Sequence, residues 1–278
     1  MDTLYISDLD GTLLNEEGEL SSRTTEVINR LTDAGIYFTY ATARSFSSAS
    51  KIVSGLRLSI PVITYNGTFF VGHDDGRILY SLHFNEAVKD LVKEVTGRLN
   101  CYPLVYSILD GRERVSYLKG QVSPGILRYL ESRTEDARLR PVMDTAALYQ
   151  GDNYYYTMID SRERLEPVKR ELISRDTGGG PFVHTFQEEI YCRGEYWLEL
   201  MPEGATKAEG AKRLMELTGC SRMVCFGDAV NDIPMFRAAD EAYAVANAAG
   251  ELKQYADGII LSNREDGVAV WLEQHVRT

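Results

Sequence analysis

Three short apolar runs in the first 65 residues each stop at a polar turn, and stretches of helical character separate them. Leu4-Tyr5-Ile6 delivers Ser7 and then Asp8-Leu9-Asp10-Gly11-Thr12. Ile36 to Tyr40 runs into Ala41-Thr42-Ala43-Arg44-Ser45, and Pro61 to Tyr65 ends in Asn66-Gly67. Runs this short and this apolar read as strands buried on both faces. The first helix is predicted from Ser21 or Ser22 as N-cap, with Val27, Ile28, Leu31 and Ala34 on one face and Gly35 at the C-terminal stop; the second runs to about Gly55. Strand, helix, strand, helix, strand is the order of an α/β chain wound around a parallel sheet. In such sheets ligands sit beyond the carboxyl ends of the strands, which is where the polar turns fall.

The pattern changes after that. Apolar runs at 68–71 and 77–82 flank Gly72-His73-Asp74-Asp75-Gly76, a hairpin signal because Asp-Gly sits between apolar runs. From His83 onward, tyrosine-rich strands are expected near 102–109, 154–159 and 196–201, alternating with helices near 86–99 and 162–174. This reads as a separate α+β unit. Tyr154, Tyr155 and Tyr156 alternate across their strand, so one face of them at most could line a cleft. The Gly178-Gly179-Gly180-Pro181 stretch lacks the Lys-Ser/Thr of a phosphate-cradling loop and reads as a connector.

Beyond Met201-Pro202 the earlier style returns. Thr206-Lys207-Ala208-Glu209 fits a capping box that opens a helix, and a lysine in a first turn opposes the helix dipole unless an anion lies just beyond it. Met223 to Phe226 is another buried strand, leading into Gly227-Asp228-Ala229-Val230-Asn231-Asp232. Ala242 to Ala246, followed by Asn247, and Gly258 to Leu261 are two more, and a helix from about Glu265 closes the chain.

Charge and composition narrow the function. The 278 residues carry 30 basic and 41 acidic side chains, a formal charge of −11, which disfavours a general nucleic-acid or anionic-membrane surface. No apolar run reaches membrane length. The chain enters its first strand without a basic region and apolar segment, so a cytoplasmic location is expected. Four cysteines, Cys101, Cys192, Cys220 and Cys225, form no C-x-x-C pair and are expected to be reduced thiols. Asp8 and Asp10, one residue apart, repel each other, and a divalent metal is the first expectation for what compensates them. Thr42 with Ala43 at a strand-to-helix turn suits a phosphate. A carboxylate pair, a threonine before a helix, a lysine at a helix start and a late acidic pair with an amide are together the parts a phosphoryl group needs.

Asp8-Leu9-Asp10-Gly11-Thr12, Thr42, Lys207 and Gly227-Asp228-x-x-Asn231-Asp232 resemble the four ordered motifs of the haloacid dehalogenase superfamily of phosphohydrolases. The long insertion, with Asn66-Gly67 before it and Leu198 to Pro202 leading to Lys207, is similar to the Cof-like subgroup with a type C2 cap. The resemblance implies a Rossmann-like doubly wound core of residues 1–82 and 203–278, and an inserted α+β cap of residues 83–202 that closes as a lid. Ala43 stands where the subgroup usually has glycine, and Ala246 where glycine commonly precedes the Asn.

The resemblance also implies a mechanism. Asp8 is the nucleophile, forming an aspartyl-phosphate, and Asp10 is the general acid and base. Asp8, the backbone carbonyl of Asp10, and Asp228 hold Mg²⁺, while Thr42, Ala43 and Lys207 bind the phosphoryl oxygens. Asn231 and Asp232 orient these groups, and Arg44, Asn66 and Asn247 touch substrate or order the loops. The expected partner is a small phosphorylated metabolite such as a sugar phosphate or phosphorylated cofactor. The alternatives are a phosphomutase or dedicated disaccharide-phosphate phosphatase and, in another class, a phosphate-responsive signalling protein without turnover; Asp10 favours turnover over the last. Oligomeric state is not legible.

Overall fold

The computed structural model describes residues 2–175, 182–189 and 192–277; the connector expected at 178–181 lies outside them. The chain divides into two compact units, residues 1–81 with 205–278, and residues 82–204.

The first unit begins with β1 (Thr3–Ser7), α1 (Ser22–Asp33), β2 (Tyr37–Tyr40), α2 (Phe46–Ile52), β3 (Val62–Thr64), β4 (Phe69–Val71) and β5 (Ile78–Ser81). The Ser21 hydroxyl accepts from the Thr24 amide and so caps α1. Val27, Ile28 and Leu31 are buried along one side of that helix, and Gly35, at φ +86°, makes its stop.

The second unit contributes α3 (Glu86–Arg98), β6 (Leu104–Leu109), β7 (Arg112–Leu118), α4 (Pro124–Glu131), β8 (Leu139–Val142), α5 (Thr145–Leu148), β9 (Asp152–Ser161), α6 (Arg162–Ser174), β10 (Phe182–Glu188) and β11 (Glu195–Pro202). These strands pair in the order β10-β11-β9-β6-β7-β8. Val88, Val92 and Val95 of α3 and Leu165, Val168 and Leu172 of α6 pack with Val105, Tyr156, Met158, Leu198 and Leu200 into one apolar core. Alternate residues of β9 and β11 thus face the helices, as a period of two requires.

The chain then returns to the first unit with α7 (Lys207–Thr218), β12 (Arg222–Gly227), α8 (Ile233–Ala238), β13 (Glu241–Val245), α9 (Gly250–Lys253), β14 (Gly258–Ile260) and α10 (Gly267–His275). Five of its strands form a wholly parallel sheet, β14-β13-β12-β1-β2, so the expected α/β class with a parallel core is borne out. Helices pack as pairs, α1 with α10 and α7 with α8. Trp271 of α10 lies against Tyr5, Phe226 and Tyr243, tying three adjacent strands to one helix.

β3 departs from the simplest winding. It touches the parallel sheet by one bridge, Ala41 to Ile63, and then leads an antiparallel sheet with β4 and β5. The short turn Tyr65-Asn66-Gly67 explains this: it joins β3 to β4 as antiparallel neighbours, and the Asp-Gly hairpin then adds β5. Among the described residues no helix is long and apolar enough to cross a membrane.

Candidate active site

Chain order reverses between β1 and β12. From β1 the sheet grows towards β2 on one side and towards β12, β13 and β14 on the other. Such a reversal opens a crevice at the carboxyl ends of the two central strands. Asp8 follows β1 and Asp228 follows β12, so the two acids flank it. The Asp8 amide donates to the Phe226 carbonyl at 3.0 Å, which continues the ladder one residue past the strand and fixes where the Asp8 side chain leaves the sheet.

Lys207 is the first residue of α7, whose N-cap Thr206 accepts from the Glu209 amide at 3.1 Å. Lys207 is 2% exposed, and its ammonium donates to Asp8 Oδ1 and, at 2.7 Å, to Asp232 Oδ1. The other oxygen of Asp232 accepts the backbone N–H groups of Asp228 and Ala229, each at 3.1 Å. Asp232 is therefore occupied on both sides, by the lysine and by the turn that carries Asp228. Thr12 donates to Asp228 Oδ1 at 3.2 Å. Gly11, at φ +74°, lies so near that a Cβ there would stand 2.3 Å from Asp228 Oδ2, which explains why the acidic loop carries glycine at this step.

Asp8, Asp228 and Asp232 each bring a carboxylate oxygen within 4.8 Å of the others. Burial lifts the Asp8 carboxyl well above the usual carboxylate range; Lys207 opposes this, and Asp232 and Asp228 reinforce it. Burial likewise pushes Asp228 up to about 6, with Asp232 adding to it and Lys207 opposing. Burial works against the charge on Lys207, but Asp232 and Asp8 outweigh it and hold its pKa above the ordinary lysine value. We take Lys207 as the charged partner, since it donates to two carboxylates. Three carboxylates against one ammonium leave a deficit of positive charge. An all-oxygen donor set with that deficit fits a hard divalent cation such as Mg²⁺.

The Asp10 carboxylate points elsewhere. Arg44 grips it with both arms of its guanidinium, Nε to Oδ2 at 2.7 Å and Nη2 to Oδ1 at 2.6 Å. The hydrogen bond to Asp10 holds the Arg44 pKa above its ordinary value. Thr42 is fully buried; its hydroxyl accepts the Arg44 amide at 3.1 Å and its own N–H donates to the Ile63 carbonyl at 3.0 Å. Ala43, between them, is exposed. The Asn66 amide donates to the Thr42 carbonyl at 2.8 Å. Asn247 donates to the Gly11 carbonyl at 2.7 Å and accepts the Asn263 amide at 3.0 Å, which ties the acidic loop to the last turn of chain before α10. Asn231 is exposed on the turn that leads to Asp232.

The family model of the haloacid dehalogenase-like hydrolases matches residues 5–272. This chain belongs to that family. The hydrolase is 28% identical over 288 residues to the 5-amino-6-(5-phospho-D-ribitylamino)uracil phosphatase of Bacillus subtilis, a match covering 98% of this chain and 97% of the relative. It is 26% identical over 270 residues to the HMP-PP phosphatase of Yersinia pseudotuberculosis, over 95% of this chain and 92% of that one. A crystal structure of a haloacid dehalogenase-like hydrolase from Bacteroides thetaiotaomicron superposes with a TM-score of 0.77 at 25% identity, covering 99% of each chain. The resemblance drawn from the four motifs is thus borne out over nearly the whole length of the hydrolase.

Two contributors to the site of this hydrolase were not singled out by sequence reasoning. Thr12 was read only as part of the acidic loop, although a hydroxyl two residues after Asp10 is a local signal for a carboxylate partner. Asn263 braces Asn247 and also donates to the Leu14 carbonyl at 2.9 Å. Nothing around residue 263 announces a link to residues near the N-terminus, because the contact is made by the fold.

Proposed function

We propose that this hydrolase releases phosphate from small phosphomonoesters, such as sugar phosphates or phosphorylated cofactors, through an aspartyl-phosphate on Asp8. The observation that carries the reading is the buried Lys207 held between Asp8 and Asp232, with Asp228 completing the carboxylate cluster at the switch point. The names of the two phosphatase relatives support the substrate class.

Asp8 attacks phosphorus as a carboxylate and forms the acyl-phosphate as the alkoxide departs. Lys207 neutralises nonbridging oxygens of the phosphoryl group, and Thr42 donates to them from the neighbouring loop. Asp10 gives a proton to the leaving oxygen and later takes one from the water that cleaves the acyl-phosphate, a pair of duties worth about 10²- to 10⁴-fold in rate. For this the Asp10 side chain exchanges its grip on Arg44 for the reacting oxygens. Asp232 keeps Lys207 and the Asp228 turn in place. Asp8, the Asp10 carbonyl and Asp228 would hold Mg²⁺, which when bound offsets the repulsion between the carboxylate and the phosphate dianion.

The test is phosphate release from p-nitrophenyl phosphate. Release that requires Mg²⁺ and vanishes in a folded Asp8→Asn protein is the expected result; turnover that survives the substitution sinks the reading. A phosphoprotein that accumulates on the wild-type chain without turnover would instead indicate a switch.

A further inference from the structure

We propose that the turn Tyr65-Asn66-Gly67 is a positioning element that sets the spacing between Lys207 and the Thr42–Arg44 loop. The proposal rests on the reading of Lys207 and Thr42 as the groups that hold the phosphoryl oxygens.

Three consecutive residues of this turn have positive φ, +49°, +54° and +107°. Two of them carry side chains, for which that region is sterically disfavoured. Such backbone persists where the surroundings over-determine it, and it concentrates at functional sites. Here the turn is gripped from two directions. On one side the Tyr65 amide donates to the Arg44 carbonyl at 3.1 Å and the Asn66 amide to the Thr42 carbonyl at 2.8 Å. These two bonds close the loop that presents Thr42 and Arg44, and the left-handed conformation turns both N–H groups towards it. On the other side Gly67 lies flat on the start of α7. A Cβ on Gly67 would stand 2.3, 2.7 and 2.9 Å from the backbone O, C and N of Thr206, the residue that precedes Lys207. From the helix side, a Cβ on Gly210 would meet Ile63 at 3.0 and 3.1 Å and the Gly67 Cα at 3.6 Å.

The turn therefore works as a spacer of fixed thickness between two backbones. It has no room for a methyl group on the helix side, and its amides are committed on the loop side. Tyr65 and Asn66 are 4% and 5% exposed, so the spacer is enclosed as well as strained. Any thickening pushes the first turn of α7, with Lys207 on it, away from the Thr42 loop. A displacement of about 1 Å in such a constellation costs on the order of 10²-fold in rate.

The test compares Gly67→Ala, Gly210→Ala and Lys207→Ala with wild type, using p-nitrophenyl phosphate with Mg²⁺ for kcat and KM and orthovanadate as an inhibitor. Gly35→Ala is the control: Gly35 has φ +86° but nothing within 4 Å of its added methyl, so it carries the backbone cost without displacing anything. Gly67→Ala is expected to lower kcat/KM by about 100-fold and Gly210→Ala by about tenfold, each weakening orthovanadate inhibition, while Gly35→Ala stays within about twofold. A smaller folded fraction alone would lower kcat and leave the orthovanadate constant unchanged, so that pattern overturns the proposal. If Gly67→Ala is not recovered folded, Gly210→Ala decides, since its nearest contacts, with the buried Ile63 side chain, ask for a shift of only a few tenths of an ångström, and its Cβ also rests on the Gly67 Cα. A protein in which Lys207→Ala is inactive but Gly210→Ala keeps wild-type kcat/KM and orthovanadate affinity overturns the spacer alone. An active Lys207→Ala overturns the phosphatase reading on which it rests.

Discussion

Lys207 occupies a position that helix stability alone would not select, because an ammonium in a first turn opposes the dipole. It stays because two buried carboxylates need it more than the helix resists it. Removing one partner of a buried ionic group leaves charge uncompensated at a cost of about 3 to 5 kcal/mol. Lys207→Ala should accordingly be inactive and less stable by about that amount in urea denaturation without Mg²⁺, while still folding; equal stability would mean that the carboxylates are compensated elsewhere. Glu199 of β11 illustrates the reverse case. Its carboxylate accepts from Thr185 at 2.9 Å, yet withdrawal from water pushes its pKa above that of an ordinary glutamate. The folded protein then keeps a proton that the unfolded chain has already released, so stability declines as pH rises from the ordinary carboxylate range towards the raised value. Glu199→Gln removes that decline. The variant should gain in melting temperature over wild type near pH 7 and gain little near pH 4. At this scale the sequence revealed the kinds of groups and their order, since Asp8, Lys207 and Asp228 announce themselves at strand and helix ends. It did not reveal that Arg44 grips Asp10, because a bidentate pair across 34 positions depends on two loops being folded against each other.

Among the elements, those with strong local chemistry were legible. The Ser21 cap, the Gly35 stop and the helix at Arg162–Ser174 follow from residue types and period. β7, β8, β10 and α4 were not read from the sequence. β7 carries Arg112, Glu113 and Arg114 in its first three positions, and β8 is four residues with a proline, so neither has the apolar alternation that signals a strand. The course of β3 was likewise hidden, because three buried residues, two of them apolar, fit a parallel or an antiparallel partner equally well. Elements are also joined by single side chains. Asn29 of α1 donates to the Gly55 carbonyl at 2.9 Å and accepts the Arg57 amide at 2.8 Å, pinning the chain that follows α2. Asn29→Ala leaves two backbone groups to find other partners, and the expected loss is about 2 kcal/mol in urea denaturation with activity retained. A change below a few tenths would show that water replaces the side chain.

For the whole molecule, the division into two units makes a prediction that no single residue does. Residues 82–204 contain their own six-stranded sheet and apolar core, so this segment expressed alone should unfold in one cooperative transition. A featureless melting curve would contradict the division. Residues 1–81 alone should not fold stably, because β1 would lack β12 beside it. Their companion strands lie beyond residue 204. During synthesis the N-terminal segment therefore emerges first and leaves the ribosome with one flank of β1 unmatched, while the intervening segment completes its own structure. Asp8 acquires Lys207, and the acids of the late turn, only once residues 207–232 have been made. A nascent chain that stalls before Arg222 carries Asp8 but lacks the strand that seats it beside the late acids.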